Sequence, residues 1–300
     1  MTDIIIVGAG PAGLSAAIYA LRAGKSVKVF EANTYGGQIV NTPDIENYPG
    51  IKHISGFEFA TGLYEQAKDL GAEVIYEKVL SIKNDIDKKI VYTSSGEYEA
   101  KAVILATGAK NRKLGVEKED EFVGKGISYC ATCDGAFFRN KDVAVQGGGN
   151  TALEDAAFLS NYCNKVYVIH RRDEFRGDHK DVETLKAKEN VEFVLNSTVI
   201  ELIGETNLTG IKVLNKLTNE VKTLEVSGLF VAIGQEPDNK SFEDVVILDK
   251  KGYIKATENC LTNTKGIYTA GDCRTKEVRQ LTTAAADGAV AALAAASYIK

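Results

Sequence analysis

Blocks of apolar residues predict strands and helices that recur in the same order at two places in the chain. The two copies occupy residues 4–31 and 143–170, and each reads as a strand, a glycine-rich turn, a helix and a second strand. The predicted strands are residues 4–7, 27–30, 143–145 and 166–169, and the predicted helices are residues 14–23 and about 152–162. The spacing from the first glycine to the residue that ends the second strand is the same in both copies. Units of this kind build parallel sheets.

Further apolar strands that end in glycine predict how the two copies are arranged in domains. One follows each copy, at residues 102–108 and 228–234, and a third, at residues 266–272, precedes an alanine-rich helix. Because no third unit of this kind is available for it to join, the third strand is predicted to return to the first sheet. The fold class is therefore α/β, with one parallel-sheet domain inserted into another. The predicted domains are a discontinuous domain of residues 1–112 and 240–300 and an inserted domain of residues 113–239.

Composition and charge narrow the class of protein. The chain has 300 residues, of which 44% are hydrophobic and 26% charged, as in ordinary globular proteins. Its net charge of -5 argues against nucleic acid or an acidic membrane surface as the main partner. No secretory signal is expected at its start, and the alanine-rich helix over residues 284–296 is too short to span a membrane. Five cysteines, an odd number, argue against a secreted disulfide framework and predict a cytoplasmic location.

The first glycine turn has the features of a dinucleotide-binding motif. Its G-x-G-x-x-G sequence follows a strand and opens a helix, and the acidic residue Glu31 ends the next strand. In such a motif Gly8 makes the tight turn, Gly10 lets the backbone approach a pyrophosphate and Gly13 allows the helix to pack closely on the strand. The alternative, a tight turn without a ligand, does not require the carboxylate that would bind a ribose diol. The residues predicted to bind this nucleotide are Gly8, Gly10, Pro11, Ala12, Gly13 and Glu31.

The second glycine turn repeats this pattern but ends in basic residues. Where the first copy has Glu31, the second has His170, closely followed by three arginines. A carboxylate there would repel a 2′-phosphate, whereas guanidinium groups bind one, so this motif predicts NADPH rather than NADH. The alternative is that the basic run is a solvated surface. The residues predicted to bind this nucleotide are Gly147, Gly149, Asn150, Thr151, His170, Arg171, Arg172 and Arg176.

Two Rossmann-like units on one chain, only one of which carries arginines for a phosphate, predict two different nucleotides. A flavin with a nicotinamide nucleotide is the simplest combination, because a flavin accepts a hydride from NADPH and passes electrons on singly or in pairs. The two motifs together therefore predict redox chemistry.

Cys130 and Cys133, which are separated by two residues, are a further candidate for that chemistry. A structural zinc site needs four ligands, and the sequence has no second cysteine pair and no closely spaced histidines, so no metal site is predicted. A permanent disulfide is disfavoured in a reducing compartment, which leaves a redox-active dithiol. Asp134 is placed either to move the proton that thiol-disulfide exchange relocates or, with Gly135, to form a turn. The cysteines predicted to be buried and unreactive are Cys163, Cys260 and Cys273.

These motifs make the sequence similar to the low-molecular-weight thioredoxin reductases of the bacterial type, a class of pyridine nucleotide-disulfide oxidoreductases. The resemblance covers essentially the whole chain. Its most specific segments are residues 130–135 (CATCDG), 147–152 (GGGNTA) and 170–176 (HRRDEFR), with 271–272 and 279–280 near the C-terminus. It implies that FAD binds in the discontinuous domain and NADPH in the inserted one. The further FAD contacts that it implies are Gly36, Gly37, Gln38, Asn47, Gly108, Asp272, Arg279 and Gln280.

The resemblance also implies a reaction and a partner. It implies that Cys133 faces the flavin, that Cys130 attacks the disulfide of a thioredoxin and that Asp134 is the general acid. The dithiol and the NADPH site share the inserted domain and would compete for one flavin face, so rotation of that domain between two orientations is expected. The family's usual state is a homodimer. One departure is Gln146, a polar residue where the strand before the glycines is usually apolar.

Three other functions use part of the same pattern. A reductase of the same architecture would serve another thioredoxin-like or peroxiredoxin-linked acceptor, and a single sequence does not distinguish the docking surfaces. A nucleotide-sensing module would keep both glycine turns but would have no use for the dithiol. A flavin-dependent dithiol oxidase that uses oxygen would not need the arginines of residues 171–176.

Overall fold

The computed structural model describes residues 1–42, 44–85 and 87–299. The strands are β1 (Thr2–Val7), β2 (Val27–Phe30), β3 (Glu73–Ile75), β4 (Val79–Asn84), β5 (Lys89–Thr93), β6 (Glu97–Leu105), β7 (Ala109–Asn111), β8 (Ile127–Ser128), β9 (Asp142–Gly147), β10 (Lys165–Ile169), β11 (Val191–Val194), β12 (Ser197–Gly204), β13 (Leu208–Asn215), β14 (Val221–Leu224), β15 (Gly228–Ala232), β16 (Gln235–Pro237) and β17 (Ile267–Thr269). The helices are α1 (Pro11–Arg22), α2 (Gly56–Asp69), α3 (Glu119–Phe122), α4 (Ala131–Asp134), α5 (Asn150–Leu159), α6 (His179–Lys186) and α7 (Leu281–Tyr298), with 3₁₀ turns at Gly37–Asn41, Gly135–Phe138 and Lys240–Phe242.

The chain forms two compact units. The discontinuous unit contains Met1–Lys110 and Glu236–Lys300, and the inserted unit contains Asn111–Gln235. The sequence predicted that the chain passes between the two units near residues 112 and 240. In the structure the crossing segments pair with each other as the two-stranded sheet of β7 and β16.

The sheet of the discontinuous unit has the strand order β3-β2-β1-β6-β5-β4. Strands β3, β2, β1 and β6 are parallel, and β5 and β4 add an antiparallel hairpin. The long strand β6 uses its first half to pair with β5 and its last residues, 103–105, to pair with β17 in parallel. The predicted return of the third apolar strand to the first sheet is therefore confirmed.

Both faces of β1 are buried, which explains its uninterrupted apolar sequence. Ile4 and Ile6 pack with the small apolar residues of α1 and α7, whereas Ile5 lies in a second cluster on the opposite face. Helices α1 and α7 approach so closely that a methyl group on Gly288 would lie 2.2 Å from the carbonyl oxygen of Ala12. The alanine-rich end of the chain is therefore a packed helix, as predicted. Among the described residues, no helix is long and apolar enough to cross a membrane.

The inserted unit repeats the plan in a five-stranded parallel sheet with the order β11-β10-β9-β15-β8. Helix α5 covers one face, where Val143 and Val145 pack against Leu153 and Ala156. A separate antiparallel sheet, β12-β13-β14, covers the other face, where its apolar side chains cluster with Ala144. The second βαβ unit predicted from the sequence is confirmed, and the antiparallel sheet was not predicted.

Gln146, the polar residue at the end of β9, has a structural explanation. Its buried side-chain amide donates from Nε2 to the carbonyl oxygen of Ile169 at 3.4 Å, and its Oε1 accepts from the backbone N–H of Val199 at 3.0 Å. The side chain thus joins the parallel sheet to β12, whose N–H would otherwise be unpaired in the interior.

Candidate functional site

The first glycine turn joins the carboxyl end of β1 to the N-terminus of α1. Gly8 has a φ of 109°, which only glycine adopts without strain, and a methyl group on Gly13 would lie 1.9 Å from the Gly8 carbonyl oxygen. Gly10 is the N-cap of α1 and Pro11 its first residue, and no side chain that the structure describes caps this helix. Its first backbone N–H groups are therefore available to a phosphate, whereas those of α2 are capped by Ser55.

Glu31 lies where the motif requires it, at the end of β2, and it also contacts the glycine turn. Its carboxylate accepts hydrogen bonds from the backbone N–H groups of Ala9 and Asn33, both at 2.9 Å. Because each carboxylate oxygen has two lone pairs, these bonds leave capacity for the hydroxyls of a ribose. Glu31 thus orders the turn and remains able to accept from a ligand.

Two further segments of the expected FAD site, residues 36–38 and 271–272, pack on this turn from distant parts of the chain. The N–H of Gly36 bonds to the Ala9 carbonyl oxygen at 2.8 Å, which brings Gly37 and the exposed Gln38 beside the turn. A methyl group on Gly271 would lie 2.8 Å from the Cβ of Ala12, so the segment before Asp272 packs on the start of α1. These contacts bring both segments to the carboxyl ends of parallel strands, where nucleotides bind in such sheets.

Residues near the two ends of the sequence also meet. Asn47 donates from Nδ2 to Oε1 of Gln280, the N-cap of α7, at 3.3 Å. Arg279 places its guanidinium over the ring of Tyr253, 4.3 Å from the ring centroid, and Gly108 lies just beyond β6 with a φ of 68°. The structure therefore places Asn47 and Gln280 together and turns Arg279 toward a neighbouring aromatic ring.

Asp272 supplies a test of whether these residues fit a bound FAD. Its Oδ1 is buried and has no hydrogen-bond partner among the described residues. Burial raises the pKa of Asp272 above its ordinary value. An unpartnered buried oxygen at this position is suited to a hydroxyl-bearing ligand, because it is costly to leave unsatisfied. The residues present therefore fit the flavin nucleotide.

One residue that supports this site was missed in the sequence. Asp287 on α7 accepts from the Gly271 N–H at 3.0 Å, from the Arg274 guanidinium at 2.8 Å through both carboxylate oxygens, and from Lys276 at 2.9 Å. Burial alone would raise the pKa of Asp287, but the hydrogen bonds from Arg274 and Lys276 outweigh it and lower that pKa. The sequence feature that could have indicated this role is a single carboxylate inside an apolar, alanine-rich helix. Buried acidic side chains of this kind are almost always paired with a cation or a hydrogen-bond donor.

The second glycine turn joins β9 to α5. A methyl group on Gly147 would lie 2.5 Å from the Cβ of Ala152, which shows the close approach of helix to strand that the motif predicts. Gly149 is the N-cap of α5, and no described side chain caps the helix. Asn150 and Thr151 form the exposed first turn. The free N–H groups at this end again suit a phosphate.

The segment that follows β10 folds back over this turn. The N–H of Arg176 donates to the Gly148 carbonyl oxygen at 2.8 Å, and the N–H of Asp178 donates to Oδ1 of Asn150 at 3.0 Å. His170 is buried, and burial lowers its pKa below the ordinary value, as does the nearby Arg176 guanidinium. His170 is therefore neutral at pH 7 and does not contribute a cation.

The three arginines that follow His170 remain exposed: Arg171, Arg172 and Arg176. None of them forms an ion pair with a residue that the structure describes. They stand in one loop that is fixed to the glycine turn, so their charge is free to bind a phosphate on a nucleotide held there. These residues fit NADPH.

The dithiol lies in the same unit. Cys130 and Cys133 are joined by a disulfide with a Cα–Cα distance of 5.3 Å, and both are partly exposed. Cys130 is the N-cap of α4, and Cys133 lies on its single turn. The other cysteines, Cys163, Cys260 and Cys273, are reduced and buried, as predicted, and burial raises the pKa of Cys163 and Cys260 to about 11. Reactivity is therefore concentrated at residues 130 and 133.

Asp134 approaches the disulfide through a buried serine. Ser128 Oγ lies 2.6 Å from Asp134 Oδ2 and 3.0 Å from the Cys130 backbone nitrogen. Gly135 has a helical φ of -57°, and a methyl group there would lie 2.8 Å from the Tyr162 hydroxyl. Gly135 is thus required by close packing rather than by a left-handed turn. Ser128 was missed in the sequence because a single serine two residues before the motif carries no signal of its own.

The ionisable groups of the described residues include no cluster of three or more His, Cys, Asp and Glu side chains able to hold a metal ion.

Comparisons with known proteins agree with this geometry. The profile of the family described as "Pyridine nucleotide-disulphide oxidoreductase" matches residues 2–288. The thioredoxin reductase of Listeria monocytogenes is 41% identical over 299 residues, which cover 99% of this chain and 94% of the relative. The thioredoxin reductase of Mycoplasma genitalium is 45% identical over 293 residues, 97% of this chain and 93% of the relative.

Solved structures give the same result. The crystal structure of thioredoxin reductase from Streptococcus pyogenes superposes with a TM-score of 0.94 at 42% identity, covering 99% of this chain and 98% of that one. Full-length matches in both sequence and fold, together with the two glycine turns and the disulfide, establish the relationship. The chain belongs to the pyridine nucleotide-disulphide oxidoreductase family.

Proposed function

We propose that this protein is a thioredoxin-disulfide reductase, which moves electrons from NADPH through FAD and the Cys130–Cys133 disulfide to oxidised thioredoxin. The observation that carries the proposal is the partly exposed disulfide, whose Cys130 backbone shares a buried serine with the Asp134 carboxyl group, in a chain with two dinucleotide sites of which one bears exposed arginines. The relatives named thioredoxin reductase support the same function.

FAD and NADPH are the cofactors of this family. Bound FAD accepts a hydride from NADPH and passes the electron pair to a disulfide. We assign FAD to the discontinuous unit, where Glu31 and Asp272 would bind its hydroxyls and the N-terminus of α1 its pyrophosphate. We assign NADPH to the inserted unit, where the arginines of residues 171–176 would bind its 2′-phosphate.

The chain's own residues perform the second half of the reaction. When the Cys130–Cys133 bond is reduced, two electrons enter it, the S–S bond breaks, and one sulfur takes a proton while the other remains a thiolate. Asp134 supplies that proton as general acid and then takes up a new proton from water. The Cys130 thiolate next attacks the thioredoxin disulfide, and the thioredoxin sulfur that leaves takes the proton of the Cys133 thiol. The Cys133 thiolate formed in this way resolves the mixed disulfide, so that the partner leaves with both sulfurs reduced and takes its second proton from water.

The surface around the dithiol suits a protein acceptor. Thr132, between the cysteines, is exposed, and Phe137, just beyond α4, exposes 40% of its surface. An exposed aromatic ring beside a reactive disulfide offers apolar area for docking another protein. A small acceptor would not need such an anchor.

Anaerobic titration with NADPH and then NADH, followed by flavin absorbance, tests the two cofactors together. We expect the purified yellow protein to bleach with stoichiometric NADPH and much more slowly with NADH. A colourless protein after reconstitution with FAD, or equal bleaching by both donors, would contradict the assignment.

The Cys133→Ser variant tests the electron exit. It should lose thioredoxin reduction while NADPH still bleaches its flavin, because hydride transfer does not need the disulfide. Cys163→Ser is the matched control, since Cys163 is a buried thiol of the same unit whose Sγ donates to the Phe138 carbonyl oxygen at 3.3 Å. Full thioredoxin turnover by Cys133→Ser would overturn the proposal, and assays with other thioredoxin-like acceptors identify the physiological partner.

The same proposal includes a homodimer in the cytoplasm. Three of the five cysteines are buried without a disulfide partner, an arrangement that supports a reducing compartment. Val290 and Leu293 on α7 expose 39% and 50% of their surface, as a helix in a subunit interface would. Sedimentation of the holoenzyme should give twice the monomer mass, and replacing Leu293 with a charged residue should shift it toward the monomer.

A further inference from the structure

Ser128 is buried at the end of β8 and touches both the candidate general acid and the first cysteine of the disulfide. Only 4% of its surface is exposed. Its Oγ lies 2.6 Å from Asp134 Oδ2, 3.0 Å from the Cys130 nitrogen and 3.2 Å from the Cys130 carbonyl oxygen. Three polar atoms of the dithiol segment therefore surround one hydroxyl group.

The hydrogen-bond capacity of a serine decides how these contacts are used. A hydroxyl donates one hydrogen and accepts through two lone pairs. The Cys130 N–H is a donor, so Ser128 accepts from it. The single hydroxyl hydrogen then has two competing acceptors, the Asp134 carboxylate and the Cys130 carbonyl, of which the charged one is nearer and stronger.

From this arrangement we propose that Ser128 is the positioning residue of the proton step at the dithiol, an inference that rests on the proposed role of Asp134. With Asp134 ionised, the hydroxyl donates to Oδ2. With Asp134 protonated, the carboxyl O–H donates to Ser128 Oγ and the hydroxyl hydrogen turns to the Cys130 carbonyl oxygen. Ser128 thus keeps its hydrogen bond to Asp134 in both protonation states without any movement of heavy atoms, and the Cys130 carbonyl oxygen also accepts from the backbone N–H groups of Cys133 and Asp134.

This device matters because the reaction alternates between those two states. Reduction of the Cys130–Cys133 bond moves the carboxyl proton to one sulfur and leaves a carboxylate in a partly buried place. The Ser128 hydroxyl stabilises that carboxylate at the moment it forms, and it ties the carboxyl group to the backbone of Cys130. A charged acceptor gains more from the bond than the neutral acid does, so Ser128 favours release of the proton.

Other ionisable groups near α4 must be separated from Asp134 in any test. Burial, with the neighbouring Glu154, raises the pKa of Asp155 on α5 to about 7, so Asp155 titrates in the working range. The ionisable side chains on the elements and segments packed against α4 and β8 are Glu154, Asp155, Tyr162, Arg139, Tyr129 and Glu119.

Infrared difference spectroscopy measures the protonation of Asp134 directly. Its carboxyl band is identified as the band that Asp134→Asn removes and Asp155→Asn keeps. In Ser128→Ala the midpoint of that band should lie roughly one pH unit higher than in the parent protein, because the carboxylate has lost a hydrogen bond. An unchanged midpoint would overturn the inference.

Kinetics on the holoenzyme give a second readout. Ser128→Ala should reduce thioredoxin about tenfold more slowly at pH 7, while NADPH bleaches the flavin at the parent rate. Its activity should also decline at higher pH than in the parent, since the acid holds its proton longer. Ser128→Thr, which keeps the hydroxyl, should recover most of the rate.

Ser197→Ala is the matched control. Ser197 is a buried serine of the same unit whose Oγ donates to the Leu195 carbonyl oxygen at 2.7 Å, away from the dithiol. Ser197→Ala should change neither the midpoint of the carboxyl band nor the pH profile of activity. If both serine variants had the same effect, Ser128 would have only a structural role. If the parent protein fails to reduce thioredoxin, the proposed function falls, whereas the infrared comparison still decides the role of Ser128.

Discussion

The imidazole of His170 lies against the backbone of Gly148, so closely that a methyl group on Gly148 would be 2.0 Å from the ring Cε1. The ring is fixed there by Nε2, which lies 3.1 Å from the Glu174 carbonyl oxygen, and by stacking on Phe175 at a centroid distance of 5.1 Å. His170 therefore packs the glycine turn from within the fold. The exposed positive charge of the segment is left to the arginines that follow it.

The first prediction concerns Gly148. In Gly148→Ala the new methyl group overlaps the imidazole, so the ring must leave its site and the turn must shift. We expect a loss of about 1–3 kcal/mol in the free energy of unfolding and a weaker affinity for NADPH. Denaturant unfolding and NADPH titration measure the two effects.

Gly149→Ala is the control for stability, because no atom lies within 4 Å of the added methyl group and the φ of Gly149 is -103°. Its free energy of unfolding should change by less than about 1 kcal/mol. Equal losses of stability in the two variants would show that the contact with His170 is not the reason that residue 148 must be glycine.

The second prediction concerns donor choice. Replacing Arg171, Arg172 or Arg176 with alanine should raise the KM for NADPH about 10- to 100-fold at each position that binds the 2′-phosphate, because a charge-assisted hydrogen bond is lost. The KM for NADH should stay the same, since NADH has no such phosphate. Steady-state kinetics with both donors give the ratio.

Lys216→Ala removes an exposed cation from another loop of the inserted unit and should change neither KM. The loss should also shrink as ionic strength rises, because exposed charges are screened. A proportionate loss with NADH and NADPH in the arginine variants would mean that the segment supports the fold rather than reading the phosphate.

The sequence predicted the parts of the molecule that are local. The strand, turn and helix around Gly8 and around Gly147 are specified by neighbouring residues, so they were found correctly, although α1 begins at Pro11 and not at the predicted residue 14. In the antiparallel strands β12–β14, buried and exposed residues alternate only weakly, and many side chains are partly exposed. Their apolar pattern therefore did not predict strands. The contact of Ser128 with Asp134 depends on how two loops fold, and no spacing rule predicts it.

Contacts between distant residues form a second class that one sequence does not reveal. Asp287 holds the N–H of Gly271 from another element, and Asn47 reaches Gln280 across most of the chain. The FAD contacts in these segments were expected only through resemblance to a family. The contact of the Gly271 segment with the first glycine turn is a result of the topology, since β1, β6 and β17 end at one edge of the sheet.

The third prediction concerns the buried ion cluster of Asp287. In Asp287→Asn, Arg274 and Lys276 remain buried without a carboxylate, so the free energy of unfolding should fall by about 3–5 kcal/mol. The Gly271 N–H is also held less firmly, and FAD affinity should fall with it. Chemical denaturation and the fluorescence of released flavin measure the two losses.

The pH dependence of this loss has a definite sign. The pKa of Asp287 is lower in the folded protein than in the unfolded chain, where it is near 4. The stability that ionised Asp287 contributes is therefore fully present above the unfolded-state pKa and is lost as pH falls through the folded-state pKa. The difference between the parent and Asp287→Asn should stay constant from about pH 5 to 8 and shrink below about pH 4. Asp69→Asn, at an exposed site on α2, should change stability by less than about 0.5 kcal/mol.

The fourth prediction concerns Asp155, whose pKa burial and the nearby Glu154 raise to about 7. Between its unfolded-state and folded-state pKa, an acid whose pKa is raised by folding binds more protons in the folded state than in the unfolded state. The free energy of unfolding should therefore fall as pH rises from about 4 to 7 and should then level off. Asp155→Asn removes this penalty. Its free energy of unfolding should exceed that of the parent by on the order of 2 kcal/mol at pH 8 and match it near pH 4.

Denaturant unfolding at pH 5 and pH 8 distinguishes this effect from a simple gain in packing, which would be the same at both values. Glu154→Gln should give a smaller change of the same sign, because it removes only the second of the two causes that raise the Asp155 pKa. A stability difference between parent and Asp155→Asn that does not vary with pH would show that Asp155 is already ionised in the folded protein at pH 5, and that the carboxyl group reaches water despite its place on α5.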